Sequence, residues 1–110
     1  MYVFQAAHNN FRFDRLVLRD NLSKFGLALP ENTKFADTMA IMKKVNPRPG
    51  MRAHSLDQSL EFFEMDGRNT IHDGMEDTRL CMRIANAAAQ KLDFKDYEDY
   101  LNNTPFALRN

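Results

Sequence analysis

The sequence predicts a helix-rich α/β fold with two or so short strands. Three observations point there. Two short runs, Tyr2-Val3-Phe4-Gln5-Ala6-Ala7 and Thr33-Lys34-Phe35-Ala36-Asp37-Thr38, carry the β-branched and aromatic content of strands. Four later segments space their apolar residues with a helical period. Turn and capping signals fall between these segments.

The first run ends at His8-Asn9-Asn10, a turn signal. From Phe13 to Phe25 the period is helical, with Val17, Leu18, Asn21, Leu22 and Phe25 on one stripe. Gly26 suits the residue just past that helix. The second strand runs into a helix from Thr38 to Lys44, with Asp37 or Thr38 as its N-cap. Pro47-Arg48-Pro49-Gly50 breaks the chain. Ser55 and Gln58 form a capping box ahead of a short helix reaching Phe63. Asp66-Gly67-Arg68-Asn69 reads as a turn. The longest helix is expected from about Gly74 to Leu92, with Leu80, Cys81, Ile84, Ala85 and Ala88 on its stripe. Its alanine run, Ala85 to Ala89, favours close approach of a neighbour. Asp93 ends it, and Phe94, Tyr97, Tyr100 and Leu101 suggest a last short helix.

A chain of 110 residues is one domain at most, expected over residues 1–101 with a polar tail at 102–110. Two strands alone do not make an independently stable sheet, so the pattern looks like the second half of a larger α/β domain. The 15 basic and 15 acidic residues cancel, so the global basic footprint of an independent nucleic-acid binder is absent. Local clusters (Arg12, Arg15, Arg19; Lys43, Lys44, Arg48, Arg52) read singly as solvated faces. The single cysteine, Cys81, excludes an internal disulfide framework and fits a reducing compartment, cytoplasmic or nuclear. No secretory leader opens the chain, and no apolar run approaches a membrane span.

Two acids head helical stripes. Val17, Leu18, Asn21 and Phe25 follow Asp14 at helical offsets, and Leu80, Cys81, Ile84 and Ala88 follow Asp77 at the same ones. Each carboxylate is therefore expected to point towards the core, where it needs a helix N-terminus, an arginine or a metal as partner. Read alone, either acid is a first-turn residue serving its helix. His72 stands five residues before Asp77, placed to take a proton from a water held at that acid.

The ordered set of motifs is more specific than any member. Asn9-Asn10-Phe11-Arg12-Phe13-Asp14 reads as N-x3-F-D, and His72-Asp73-Gly74-Met75-Glu76-Asp77 as H-x4-D. Between them lie Phe35-Ala36-Asp37-Thr38 and Ala53-His54-Ser55-Leu56-Asp57-Gln58-Ser59-Leu60. In order and spacing over about residues 1–92 the chain resembles the DEDDh 3′-5′ exonucleases, including the TREX-like and polymerase proofreading groups, which have a ribonuclease H-like fold. The resemblance implies hydrolysis of nucleic-acid 3′ ends, DNA or RNA, with Mg²⁺ or Mn²⁺ in a two-metal site. It implies that Asp14 and Asp77 are metal ligands, that His72 is the general base, and that His8 and Asn9 contact substrate.

The first motif of that family, D-x-E on an opening strand, has no counterpart upstream of His8. Asp96-Tyr97-Glu98 has the right letters but a late, helical setting. Two carboxylates make a poor cage for Mg²⁺, so the expectation is weak or no hydrolysis by this chain alone. Three readings stay open: a fragment or incomplete product, a degenerate member kept as a binding module, or another chain supplying the missing strands along a bare edge near Tyr2-Val3-Phe4, an edge a second copy could also use while still lacking D-x-E. The alternative function is a non-catalytic binding or interaction module on the same fold. An HD-type phosphohydrolase built on His54 and His72-Asp73 leaves His8 and Asp14 unused, and one cysteine with three scattered histidines argues against zinc.

Overall fold

The computed structural model describes residues 3–47, 54–65 and 74–110, with the backbone alone for 74–76. It shows a partial α/β architecture. Strand β1 (Val3–Ala7) leads into helix α1 (Asp14–Lys24), then strand β2 (Thr33–Asp37) and helix α2 (Thr38–Val45). Helices α3 (Leu56–Phe62), α4 (Gly74–Lys91) and α5 (Tyr97–Asn103) follow.

β1 and β2 pair in parallel, Val3 opposite Thr33 and Ala7 opposite Asp37. Parallel neighbours need a crossover, and α1 supplies it. The far edge of β2 is partly occupied, because Phe35 and Arg109 exchange backbone hydrogen bonds at 2.7 and 2.9 Å. Among the described residues β1 pairs with β2 only. Residues 102–110 therefore hold to the sheet: α5 runs to Asn103, a 3₁₀ turn covers Pro105–Ala107, and Arg109 reaches β2.

The core gathers on α4. Ile84, Ala85, Ala88 and Ala89 are fully buried there, against Ile41 and Met42 of α2, Leu60 of α3, and Tyr97, Tyr100 and Leu101 of α5. The alanines carry little bulk, so three helices can approach one axis closely. Phe4, Ala6 and Ala36 join this core from the sheet.

Helix ends follow the chemistry of the sequence. Asp37 caps α2 by accepting from the Met39 amide at 2.9 Å, and Ser55 caps α3 by accepting from the Gln58 amide at 3.2 Å. α1 ends in a Schellman motif: Leu27 N–H donates to Leu22 and Gly26 N–H to Ser23, with Gly26 at φ 67°. The same pair of bonds closes α3 around Glu64 (φ 55°) and α4 around Asp93 (φ 68°).

One expectation fails at α1. Its apolar stripe does not reach a core: no residue of α1 is buried, and Val17 and Phe25 are 45% and 78% exposed. The physical reason is that no described element covers that face, so periodicity marks a surface fit for burial without supplying what buries it.

Candidate active site

The turn between β1 and α1 is built around Asp37. Its carboxylate accepts from the backbone amides of Asn9 at 2.8 Å and Phe11 at 3.1 Å as well as from Met39. Three amide donors on one carboxylate bind the end of β2 to the turn after β1. Asn9 adopts φ 62°, a left-handed conformation that asparagine tolerates better than most residues.

Asn10 locks the same turn from inside. It is fully buried, and its Nδ2 lies 3.0 Å from the Gln5 carbonyl, 2.8 Å from Gln5 Oε1 and 2.8 Å from the Ala36 carbonyl. One side-chain amide thus bridges the two strands where their ladder ends. The motif singled out Asn9, as a substrate contact, and gave Asn10 no role. The only available signal was a second asparagine at the strand end, and nothing local says which of the two turns inward.

This turn delivers Asp14 as the first residue of α1, and α4 delivers Asp77 near its own start. The two acids, distant in sequence, line one cavity of about 340 Å³. Its remaining wall includes Ala6, Ala7, His8, Leu56 and Cys81. The small side chains of Ala6 and Ala7 leave room beside the acids. No lysine or arginine is among the described residues that line it. Asp14 is half-buried, and burial followed by the negative charge of Asp37 raises its carboxyl above the ordinary value.

A polar chain fixes the floor. His8 Nε2 lies 2.5 Å from the His54 carbonyl, which can only accept, so Nε2 carries the proton. His8 Nδ1, 2.8 Å from Thr38 Oγ1, then accepts from that hydroxyl. Thr38 Oγ1 lies 3.1 Å from Cys81 Sγ and accepts from the thiol. Burial lowers the imidazole pKa against the raising effects of the His54 carbonyl and Asp37. Burial likewise raises the Cys81 thiol. Both groups are therefore neutral at physiological pH, and both ring nitrogens of His8 are engaged within the chain.

The expected site residues divide. His8, Asp14 and Asp77 share the acidic cavity, whereas Asn9 lines a second cavity on the other side of the turn. His72 lies outside the described residues. Asp96 caps α5 by accepting from the Asp99 amide at 2.8 Å, and Tyr97 is buried in the core, so the late D-x-E is a helix start. Among the described residues no three His, Cys, Asp or Glu side chains group to hold a metal. No described helix is long and apolar enough to cross a membrane.

Comparison with known proteins gives one match. The sequence model described as exonuclease, of the RNase T type, fits residues 4–85. That span runs from β1 into α4 and contains Asp14, His72 and Asp77. No curated protein and no solved structure matches significantly.

Proposed function

This chain belongs to the exonuclease family, and from that premise we propose that it serves metal-dependent 3′-5′ hydrolysis of a nucleic-acid strand, weakly or not at all when alone. The observation carrying this reading is the meeting of Asp14 and Asp77 in one cavity. A cavity with two carboxyl groups and no basic lining residue is suited to a divalent cation, Mg²⁺ or Mn²⁺. The fit is partial. Magnesium takes near-octahedral oxygen coordination, and a two-ion site needs more carboxylates than these. Further ligands are proposed to come from a strand laid along the open edge of β1, whose Ala6 and Ala7 border the cavity. That strand is proposed to be one outside residues 1–110, because a second copy would bring no strand-borne D-x-E of its own.

When bound, the divalent ions supply charge that offsets the developing negative charge at the scissile phosphodiester. The chain's own residues do the rest. Asp14 and Asp77, at the starts of two helices, would hold the cations. His72 is proposed to accept the proton of the attacking water. His8, neutral and hydrogen-bonded on both nitrogens, keeps the floor rigid and does not compete as a base.

The test is Mn²⁺-dependent digestion of 3′-labelled single-stranded DNA and RNA by the chain and by Asp77→Ala. Slow release of mononucleotides that disappears in Asp77→Ala is the expected result. Cleavage that survives in Asp77→Ala would sink the mechanism. A second reading, a non-catalytic interaction module, is favoured by the uncovered apolar face of α1. Mn²⁺ titration with no heat from either protein, together with no cleavage, selects it.

A further inference from the structure

The turn that carries Asp14 has a second side. A cavity of about 390 Å³ opens there, lined by Arg12, Arg15, Lys43 and Arg109, with Asp37 the one acid among the described lining residues. These four cations come from three parts of a chain whose net charge is zero. Arg12 and Arg15 flank the start of α1, Lys43 lies on α2, and Arg109 follows the last 3₁₀ turn. The Asp37 carboxylate is already engaged by three backbone amides, so it is poorly placed to neutralise the four cations.

Phe11 organises the arginines. The Arg109 guanidinium lies 4.6 Å from the ring centroid and that of Arg15 5.7 Å from it. Guanidinium groups held over an aromatic ring keep their N–H edges free to meet an anion. Arg15 is held more firmly: its two terminal guanidinium nitrogens donate to the Asn110 carbonyl at 3.1 Å and the Phe11 carbonyl at 3.2 Å, so it contributes its positive charge and the fork-like contacts fall to Arg12 and Arg109. Arg12 and Lys43 are exposed, with their charged ends open to a ligand.

The two cavities share one wall. His8 and Asp14 face the acidic cavity, while Asn9, Phe11, Arg12 and Arg15 face the basic one. The residues that line the two cavities alternate along one short turn, so a strand that meets the acids on one face has the cations on the other. We infer that the basic cavity holds the sugar-phosphate backbone of single-stranded nucleic acid, so that the 8–15 turn grips a strand on one face while its other face presents the acids. Phosphate oxygens accept from the guanidinium forks, and the charge of Arg12 and Lys43 supplies a salt-dependent share of affinity. This rests on the reading that the chain handles a nucleic-acid strand, and it adds the surface that holds that strand when no metal is present.

The test is fluorescence anisotropy of a short 5′-labelled oligothymidylate in EDTA, across a salt series. The double variant Arg12→Glu/Lys43→Glu should bind at least tenfold more weakly, and its log–log salt slope should fall by about 0.7 per lost phosphate contact. Lys95→Glu, exposed and lining neither cavity, should bind as the unaltered chain does. Unchanged affinity and slope in the double variant would overturn the inference, as would an equal loss in Lys95→Glu. Competition by inorganic phosphate at matched phosphate concentration would assign the cavity to a small anion and overturn it too. The two proposals separate cleanly. Binding lost in the double variant, with neither cleavage nor Mn²⁺ heat from the unaltered chain, keeps this site and removes the hydrolytic reading. Cleavage lost in Asp77→Ala with unchanged binding in the double variant does the reverse.

Discussion

His8 Nδ1 lies 2.8 Å from Thr38 Oγ1, a contact that a neutral imidazole satisfies by accepting from the hydroxyl while the other ring nitrogen donates to the His54 carbonyl. A second ring proton would require the Thr38 hydroxyl and the Cys81 thiol to exchange donor and acceptor roles.

That arrangement makes stability fall in mild acid. Burial lowers the His8 pKa from its ordinary 6.5, so below that value the unfolded chain binds a proton that the folded chain refuses. Where the unfolded state holds more protons, stability rises with pH. The stability is present above 6.5 and is lost as pH falls from there towards the folded value. Urea midpoints measured across this range should show the slope, and His8→Gln should flatten it. A slope unchanged in His8→Gln would assign it to other groups.

Asn10 should be among the least replaceable residues of the turn. Replacing it by leucine leaves the Gln5 and Ala36 carbonyls without their donor, each costing about 1–3 kcal/mol when buried. Asn10→Asp is expected to be worse, since a carboxylate would face three acceptor oxygens. Thermal unfolding with both variants checks this. A loss under about 1 kcal/mol in Asn10→Leu would mean that water reaches these carbonyls.

Much of this was legible in the sequence, for reasons that differ by residue. Cap chemistry is local, so Ser55, Asp37 and Gly26 announced the ends they serve. The stripe of α4 is dense in alanine and truly buried, so periodicity placed Ile84, Ala85 and Ala88 correctly. The α1 stripe has the same period and no cover, because a period reports which face is apolar and not what lies opposite. The meeting of Asp14 with Asp77 was anticipated only through the order of motifs, since helix offsets place each acid on its own helix and not in one cavity. The basic cavity was not legible: Arg109 joins Arg12 and Lys43 through the pairing of the chain end with β2, which no local pattern signals.

The exposed stripe of α1 gives a prediction about stability. Val17→Ser and Phe25→Ser remove side chains that face solvent, so each should change the unfolding free energy by no more than about 0.5 kcal/mol. Ile84→Ala, fully buried on α4, should cost about 2–5 kcal/mol in the same denaturant series. Losses above 1 kcal/mol at Val17 or Phe25 would show that this face is covered in solution, by a second copy if the loss depends on protein concentration.

Asp14 should carry its charge against the interest of the fold. Burial and then Asp37 raise its carboxyl above the ordinary 3.8, so the charged form is disfavoured in the folded chain. For a raised acid, the folded state's advantage is complete below 3.8 and lost as pH rises through the folded value. Asp14→Asn should therefore raise the unfolding midpoint at neutral pH, and the gain should vanish in acid, where both proteins are uncharged there. Asp37→Asn should act oppositely. It loses a carboxylate bonded to three amides, at about 1.5–3 kcal/mol for a charged hydrogen bond, and removes one cause of the Asp14 shift. Carboxyl titration by NMR should then find Asp14 closer to its ordinary value in Asp37→Asn. Adding Mn²⁺ should raise the midpoint of the unaltered chain more than that of Asp14→Asn, because a cation that binds only the folded state stabilises it. Equal Mn²⁺ responses, with the neutral-pH gain intact, would leave Asp14 a strained acid with no metal to hold.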